Sequence, residues 1–282
     1  MKFLVIGASG FLGRKIVTLL SKKHEIIKAG IRGGEDTRRV DATNKEEVRK
    51  LILEIRPDVV IDTVALTSSL SCEMNPDLAK KLNYLSAKNI LECCEEAGSK
   101  MVFISSNYIF NGEKGNYSEE DAPDPLNEYG KTKVMAEEVI MKNKNHIIIR
   151  ADLMYGFNGK GLPNGIIDKV LSGEEIEIRD LRQKRTPVFV DDVVMAIEKL
   201  VEMKQEGIFN LSGGEEITYF DFLKKLEKVV RKNSIIVAGF PEKEKKIRVP
   251  ELSTLNNSKI KSLGIKITTI NEAIDILKTK IN

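Results

Sequence analysis

The amino-acid sequence predicts an α/β protein built on a doubly wound parallel sheet. Short apolar segments alternate with amphipathic stretches in the first half of the chain, at residues 3–6, 25–27, 58–61, 101–104 and 146–149. Helices are expected to begin near Phe11, Lys45, Pro76 and Leu126. The pair Asn75-Pro76 is typical of a helix start, and Ala97-Gly98 of a helix end. Five apolar strands separated by helices indicate a parallel sheet covered on both faces.

Composition excludes several other classes of protein. The 282 residues are 41% hydrophobic and 31% charged, and the net charge of +3 is spread along the chain. Because no basic patch forms, we expect no nucleic-acid partner. Long apolar runs and a secretory leader are absent, so we expect no membrane association and a cytoplasmic location. Three cysteines without metal-site spacing and two isolated histidines, His24 and His146, predict no metal site.

A glycine-rich segment, Gly7-Ala8-Ser9-Gly10-Phe11-Leu12-Gly13, joins the first predicted strand to the first predicted helix. Its glycines permit a tight turn, bring backbone N–H groups close to a diphosphate, and let the helix pack against the strand. The spacing alone is a weak signal, but its position between a strand and a helix is typical of a dinucleotide site. The sequence therefore predicts an NAD(P)-binding Rossmann fold.

The regular pattern ends after Arg150, where a glycine-rich stretch follows and the later elements are shorter and more polar. We expect residues 1–150, together with about 175–210, to form the NAD(P)-binding domain. Residues from about 151–174 and 211–282 are expected to form a smaller, C-terminal, substrate-binding lobe. No internal repeat or low-complexity tract indicates a further domain.

Basic rather than acidic residues follow the second predicted strand. In this fold an acid there binds the ribose hydroxyls of NAD, whereas a base binds the 2′-phosphate of NADP. Residues 28–32 include Lys28 and Arg32, and the first acid after them is Glu35. We therefore expect Arg32 to contact the 2′-phosphate. The alternative is that Arg32 is a solvated loop residue with no ligand. NADP(H) is therefore the preferred cofactor, and NAD(H) stays open. We expect Asp41 and Ala42 to lie beside the adenine.

The pattern Tyr-x-x-x-Lys occurs twice, as Tyr84/Lys88 and Tyr129/Lys133. Residues four apart share a helical face, where an ammonium lowers the pKa of a phenol from about 10 toward neutrality. The second pair follows a turn-rich segment and has a hydroxyl partner, Ser106, at the carboxyl end of the fourth predicted strand. We therefore expect Ser106, Tyr129 and Lys133 to act on one carbonyl group, and Tyr84 to pack within its helix.

Further motifs lie at residues 105–112 (SSNYIFNG), 125–133 (PLNEYGKTK), 150–156 (RADLMYG), 186–192 (TPVFVDD) and 207–212 (GIFNLS). With the glycine-rich segment, they resemble the extended short-chain dehydrogenases/reductases, and among these the dTDP-4-dehydrorhamnose reductase family. The resemblance covers nearly the whole chain. It implies an enzyme that uses NAD(P)H to reduce the C4 keto group of dTDP-4-dehydro-6-deoxy-L-mannose, giving dTDP-L-rhamnose.

The resemblance also implies a role for each site residue. Tyr129 would donate the proton, Lys133 would hold the nicotinamide ribose and tune Tyr129, and Ser106 would hydrogen-bond the carbonyl oxygen. It implies that Gly10, Phe11 and Leu12 contact the diphosphate of the cofactor. Asp41 and Ala42 would contact its adenine, and Val64, Ala65 and Leu66 the edge of the cofactor that faces the fourth strand. The substrate contacts implied are Ser106, Asn107 and Leu153.

Three of the predicted site residues depart from the family pattern. Ser106 stands where threonine is common, Asn107 where aspartate is common, and Leu153 where tryptophan is common. These departures keep open another nucleotide-sugar ketoreductase or epimerase of the same superfamily. A non-catalytic, cofactor-binding regulatory subunit, like that of methionine adenosyltransferase, is a further alternative, although the complete Ser106, Tyr129 and Lys133 set argues against it. The expected partner is a nucleotide sugar, and a homodimer stays open.

The assignment of Arg32 generates a test of cofactor preference. Arg32→Ala is expected to weaken NADPH binding more than NADH binding, by about 1 to 3 kcal/mol, because a charge-assisted contact to the 2′-phosphate is lost. Dissociation constants of both cofactors, measured by fluorescence titration, check this. Equal losses for the two cofactors would reject the phosphate contact.

Overall fold

The computed structural model describes residues 1–34, 36–157, 170, 176–178, 183–230, 236–238 and 247–281. The strands are β1 (Lys2–Ile6), β2 (Glu25–Gly30), β3 (Thr37–Arg39), β4 (Val59–Asp62), β5 (Lys100–Ser106), β6 (Ile147–Ala151), β7 (Met154–Tyr155), β8 (Ile176–Ile178), β9 (Lys184–Arg185), β10 (Val188–Phe189), β11 (Gly207–Leu211), β12 (Ile217–Thr218) and β13 (Ile236–Ala238). The α-helices are α1 (Phe11–Leu20), α2 (Lys45–Ile55), α3 (Ser69–Met74), α4 (Pro76–Lys80), α5 (Ser86–Ala97), α6 (Glu128–Ile140), α7 (Val190–Glu202), α8 (Tyr219–Val230), α9 (Ser258–Ser262) and α10 (Ile270–Ile281).

The main sheet has the strand order β11-β6-β5-β4-β1-β2-β3 within the described residues, and all its pairings are parallel. This confirms the doubly wound parallel sheet. The sequence prediction of five strands was incomplete, because β3 and β11 extend the sheet at its two edges. The edge strand β3 consists of Thr37, Arg38 and Arg39, so no apolar segment marks it.

Helices cover both faces of the sheet, because successive strand residues point to opposite sides. On one face, α1, α7 and α9 pack on residues that include Phe3, Ile61 and Phe209. On the other face, α2, α5 and α6 pack on residues that include Phe103 and Ile148. Each apolar side chain buried in these two layers contributes about 1.5 to 3 kcal/mol. No helix among the described residues is long and apolar enough to span a bilayer.

The helical segment before Gly98 differs from the single helix expected there. It ends as predicted, with Gly98 in the left-handed conformation at φ 71°. At its start the Asn75 side chain does not cap the helix but donates to the Ser71 carbonyl, 3.4 Å away. A π-helical turn, Lys81–Leu85, separates α4 from α5. This turn contains Asn83, which is completely buried.

A third apolar cluster lies apart from the main sheet. Its buried members include Tyr155, Phe189, Phe222 and Leu277. Strand β8 pairs with β13, and its Ile176 joins this cluster, although residues 175–210 were assigned to the NAD(P)-binding domain.

Conversely, some residues assigned to the smaller lobe pack on the main sheet. Ile260, Ile265 and Ile267 join the α1–α7 layer of the core. The division into an NAD(P)-binding domain and a smaller lobe stays a prediction. These contacts would move residues 260–267 to the NAD(P)-binding domain and Ile176 to the smaller lobe.

Candidate active site

A cavity of about 670 Å³ opens at the carboxyl ends of the central strands. Its lining includes the following residues predicted from sequence: Gly10, Phe11, Leu12, Val64, Ala65, Ser106, Asn107, Tyr129, Lys133 and Leu153. Residues far apart in the chain thus meet where doubly wound sheets bind their ligands. Its volume is in the usual range for small-molecule sites.

The glycine-rich segment forms one wall of this cavity. The N–H groups of Gly7 and Ala8 both donate to the Ala29 carbonyl, at 2.9 and 3.1 Å, which fixes the turn against β2. A Cβ atom on Gly13 would lie 2.4 Å from the Gly7 carbonyl oxygen, so only glycine lets α1 approach this closely. Gly7 and Gly13 therefore shape the turn and do not line the cavity. The N-terminus of α1, at Phe11, faces it with unpaired N–H groups and a positive dipole end that favour a diphosphate.

The other predicted cofactor residues lie outside the cavity lining. The backbone N–H and carbonyl of Leu66 both bond to the Asn83 side chain, at 2.7 and 3.1 Å. Asp41 accepts from the hydroxyl and N–H of Thr43, and these bonds lower the pKa of its carboxyl group. The Ala42 carbonyl accepts from the Asn89 amide at 3.1 Å, and Arg32 is exposed beyond the end of β2. Their contacts with a cofactor stay predictions.

Helix α6 presents Tyr129 to the carboxyl end of β5. The helix begins at Glu128, two residues later than expected, because the Asn127 side chain caps it by accepting from the Gly130 N–H at 3.0 Å. A Cβ atom on Gly130 would lie 2.2 Å from the Tyr108 carbonyl oxygen. This close approach holds Tyr129 at the cavity wall that Ser106 also lines, where the Ser106 hydroxyl donates to Asn107 Oδ1 at 3.3 Å and accepts from the Tyr108 N–H at 3.2 Å.

The phenol of Tyr129 is stabilised in its neutral form. Burial raises its pKa to about 12, and the nearby Ser106 hydroxyl opposes that shift without reversing it. The direction is opposite to the lowering by Lys133 that the sequence suggested, because desolvation of a phenolate outweighs the other influences here. At neutral pH the Tyr129 phenol therefore retains its proton.

Lys133 lies below Tyr129 on the same face of α6. Its Nζ donates to the Ile104 carbonyl at 2.8 Å and lies 4.6 Å from the centre of the Phe103 ring. Burial lowers the pKa of Lys133 to about 8, against opposing influences from Asp62 and Glu137. The ammonium thus points at the strand backbone in this structure.

The alternative pair, Tyr84 and Lys88, is not brought to the cavity. Tyr84 lies half-buried in the π-helical turn, and Lys88 forms an ion pair with Glu92 at 3.8 Å. Neither residue lines the cavity. Their positions agree with the packing role predicted for Tyr84.

Asn107 lines the cavity and is held in a buried polar network. Its Nδ2 donates to Asp152 Oδ1 and to Ser253 Oγ, both at 2.8 Å. The other oxygen of Asp152 accepts from the N–H and hydroxyl of Thr186, at 2.5 and 2.8 Å. Burial raises the pKa of Asp152, and the nearby Arg185 guanidinium opposes this. A carboxylate is therefore present beside position 107 although Asn107 itself is neutral.

Sequence reasoning missed three polar residues near this site. Asp62 is the last residue of β4. Ser106 was selected because a polar residue that follows an apolar strand lies at the ligand-binding edge of the sheet, and the same rule identifies Asp62. Asn83 donates to Thr132 Oγ1 at 3.0 Å, and Arg185 donates to Ser253 Oγ at 2.7 Å and to Tyr108 Oη at 3.3 Å. These two have no local signal, because their partners are distant in sequence.

One group of possible metal ligands occurs among the described residues. His24, Glu198 and Glu202 place ligand atoms within 4.8 Å of one another, which the sequence did not predict. Lys23 donates to both oxygens of Glu198, at 3.1 and 3.3 Å. Because this ammonium already neutralises the buried carboxylate, we assign the group to the packing of α1 against α7.

Comparisons with known proteins identify relatives along nearly the whole chain. Residues 1–281 match the protein family described as RmlD substrate binding domain. A dTDP-4-dehydrorhamnose reductase from Clostridium acetobutylicum has a similar structure, with a TM-score of 0.85 and 29% identity, covering 100% of this chain and 98% of that one.

Two curated proteins are similar in sequence. Methionine adenosyltransferase 2 subunit beta from Rattus norvegicus is 29% identical over 231 residues, which cover 78% of this chain and 69% of that protein. A Haloferax volcanii protein named "Probable low-salt glycan biosynthesis reductase Agl14" is 26% identical over 293 residues, covering 99% and 97%.

The Asn107–Asp152 contact generates a stability prediction. Asn107→Asp places two buried carboxylates in contact and is expected to cost about 3 kcal/mol of unfolding free energy at neutral pH. The folded-state pKa of the pair rises, so this loss is full above the raised pKa and decreases as the pH falls through it. Urea unfolding at neutral and acidic pH measures both effects.

The double variant Asn107→Asp/Asp152→Asn is the matched control. It restores a single carboxylate and one amide donor at the contact, so it should recover part of the loss. Losses that simply add in the double variant would show that the two side chains do not interact.

Proposed function

Because this chain belongs to the RmlD substrate binding domain family, we propose that it uses NAD(P)H to reduce a keto group of a nucleotide-activated sugar. Membership confirms the resemblance to the dTDP-4-dehydrorhamnose reductase family that its motifs indicated. One observation carries the proposal. The Ser106 hydroxyl, the Tyr129 phenol and the Lys133 ammonium line the same cavity as the N-terminus of α1. A ketone reductase needs this combination of an acid, a carbonyl-binding donor and a dinucleotide site.

The proposed reaction divides the chemistry between cofactor and protein. When bound, the nicotinamide would supply the hydride that the carbonyl carbon needs. Ser106 donates a hydrogen bond to the carbonyl oxygen and so stabilises the negative charge that develops there. Tyr129 then gives its phenolic proton to that oxygen, and its raised pKa keeps the proton in place until the alkoxide forms.

The proposed cofactor contacts follow from the position of each group. The N-terminus of α1 would hold the diphosphate, Lys133 would hold the nicotinamide ribose, and Arg32 would favour NADP(H) over NAD(H). Residues after β4, Val64 and Ala65, line the wall between these contacts. The arrangement supports a dinucleotide extended along the carboxyl edge of the sheet.

For the substrate we propose dTDP-4-dehydro-6-deoxy-L-mannose, which yields dTDP-L-rhamnose. The similarity to the Clostridium acetobutylicum reductase along the whole chain supports this choice. Arg185 lines the substrate side of the cavity and is only 5% exposed, so its guanidinium can make a charge-assisted contact to the nucleotide diphosphate. Another nucleotide-sugar ketoreductase or epimerase is the nearest alternative, because Leu153 and Asn107 lie on this side.

A second candidate is a non-catalytic regulatory subunit, which the similarity to methionine adenosyltransferase 2 subunit beta favours. The decisive experiment follows cofactor absorbance with enzymatically prepared dTDP-4-dehydrorhamnose and the purified chain. Turnover with formation of dTDP-rhamnose supports the reductase. Cofactor binding without turnover, together with a stable complex with a methionine adenosyltransferase catalytic subunit, would instead support the regulatory role.

The acid role of Tyr129 generates a kinetic prediction. Tyr129→Phe should retain cofactor binding but lose at least about a hundredfold in turnover, because the ring stays and only the proton donor leaves. Cofactor titration and steady-state kinetics measure the two effects separately. Tyr84→Phe is the control, because Tyr84 lies outside the cavity. A folded Tyr84→Phe variant with the larger loss of turnover would overturn the choice of Tyr129.

Leu153 generates a prediction about the sugar. If the substrate is the deoxysugar, Leu153→Trp should be tolerated or should lower KM, because a flat ring covers the apolar side of the sugar. Tyr155 does not supply such a ring, since it is fully buried against Phe222. A loss in kcat/KM of about tenfold or more in a folded variant would count against this sugar and leave the reductase chemistry standing.

A further inference from the structure

A buried carboxylate lies beneath the proposed site and takes no part in the reaction described above. Asp62 ends β4 and is 1% exposed. Its Oδ1 accepts from the Val64 N–H at 2.9 Å, and its Oδ2 has no hydrogen-bond partner among the described residues. Because an uncompensated buried charge is costly, this carboxyl group must either bind a proton or be compensated by a nearby cation.

The sheet places Asp62 on the same face as the Lys133 ammonium. Asp62 is in register with Phe103 on the neighbouring strand β5, so the two side chains point to the same side of the sheet. Phe103 packs in the layer beneath α6, and Lys133 Nζ lies 4.6 Å from the centre of its ring. Carboxylate and ammonium therefore lie over two adjacent strands in a region from which water is excluded.

The other titratable groups around Lys133 are neutral or already paired. Both oxygens of the Glu137 carboxylate accept from the Arg150 guanidinium, at 2.7 to 3.1 Å. Burial raises the pKa of the Cys72 thiol on α3 to about 11, and raises the pKa of Cys94 on α5 well above its ordinary value. Within the described structure, Asp62 is thus the carboxylate near Lys133 that no other cation neutralises.

We propose that Asp62 is a positioning residue that keeps the buried Lys133 ammonium charged at the wall of the proposed cofactor site. This role of Asp62 deepens the proposed function. It rests on that function only for the identity of the ligand that Lys133 would hold. Burial lowers the pKa of Lys133 to about 8, and Asp62 is the strongest of the influences that oppose this shift. Burial also raises the pKa of Asp62 to about 6, and Lys133 opposes that shift in turn. Between these two values both groups are ionised and stabilise each other.

The test compares the wild type with Asp62→Asn in the absence of any ligand. Asparagine keeps an acceptor for the Val64 N–H and removes only the charge. Competitive acetylation over a range of pH, with the extent at Lys133 read by mass spectrometry, gives the midpoint at which its amine becomes reactive. We expect this midpoint to fall by about one pH unit in the variant, because a nearby opposite charge is lost.

Two controls separate this effect from a general change in charge. Asp58→Asn removes a carboxylate from the residue immediately before the same strand, where Asp58 accepts from the Lys2 N–H at 2.7 Å, and should leave the Lys133 midpoint unchanged. The exposed Lys131 on the same helix is an internal reference within each sample. An unchanged Lys133 midpoint in folded Asp62→Asn overturns the proposal. If Asp62→Asn does not fold, Asp62→Ser is used in its place, because a serine hydroxyl can also accept from the Val64 N–H.

The pH dependence of NADPH binding gives a second readout. Its alkaline limb should move to lower pH in Asp62→Asn, and Lys133→Arg should remove that limb, because a guanidinium does not deprotonate in this range. If the Lys133 midpoint shifts but no sugar is reduced, the reductase assignment fails and the role of Asp62 stands. If sugar is reduced but the midpoint does not shift, only the role of Asp62 fails.

Discussion

The close contact between the start of α6 and the carboxyl end of β5 is the constraint on which the site depends. Gly130 packs so tightly on the Tyr108 carbonyl that any Cβ atom would overlap it. A buried ion pair between Arg150 on β6 and Glu137 on α6 anchors the same helix one strand further along, at 2.7 Å. Removal of either ion-pair partner would leave an uncompensated buried charge. Together these contacts fix the position of Tyr129 and Lys133 relative to the sheet.

Burial acts in opposite directions on the charges of these two residues. It raises the pKa of Tyr129 and lowers that of Lys133, because in each case the charged form loses its hydration. A phenol that retains its proton suits reduction, where the enzyme must donate one. An ammonium that loses hydration requires compensation, and the Ile104 carbonyl supplies part of it at 2.8 Å. The exclusion of water therefore both keeps the proton on Tyr129 and destabilises the charge on Lys133.

The two sides of the cavity differ in how closely they follow the family pattern. The wall formed by the glycine-rich segment has the expected glycines, and its turn is fixed by close backbone contacts that leave no room for a Cβ atom on Gly13. At the wall that contains Asn107, the carboxylate is at Asp152 and not at position 107, and Leu153 presents no aromatic ring. The Asn107–Asp152–Thr186 network satisfies these buried groups internally.

The sequence by itself determined the central strands and the glycine-rich turn, because apolar runs and glycine spacing are local signals. It predicted Ser106, Tyr129 and Lys133 as site residues from their context, at the end of a strand and near the start of a helix. Only the tertiary structure decided the pairing of β3, the partners of Asn83 and Arg185, and the relation of Asp62 to Lys133. It also reversed the expected direction of the Tyr129 pKa. These features depend on which groups meet through space and on how much water reaches them, and no short stretch of sequence contains that information.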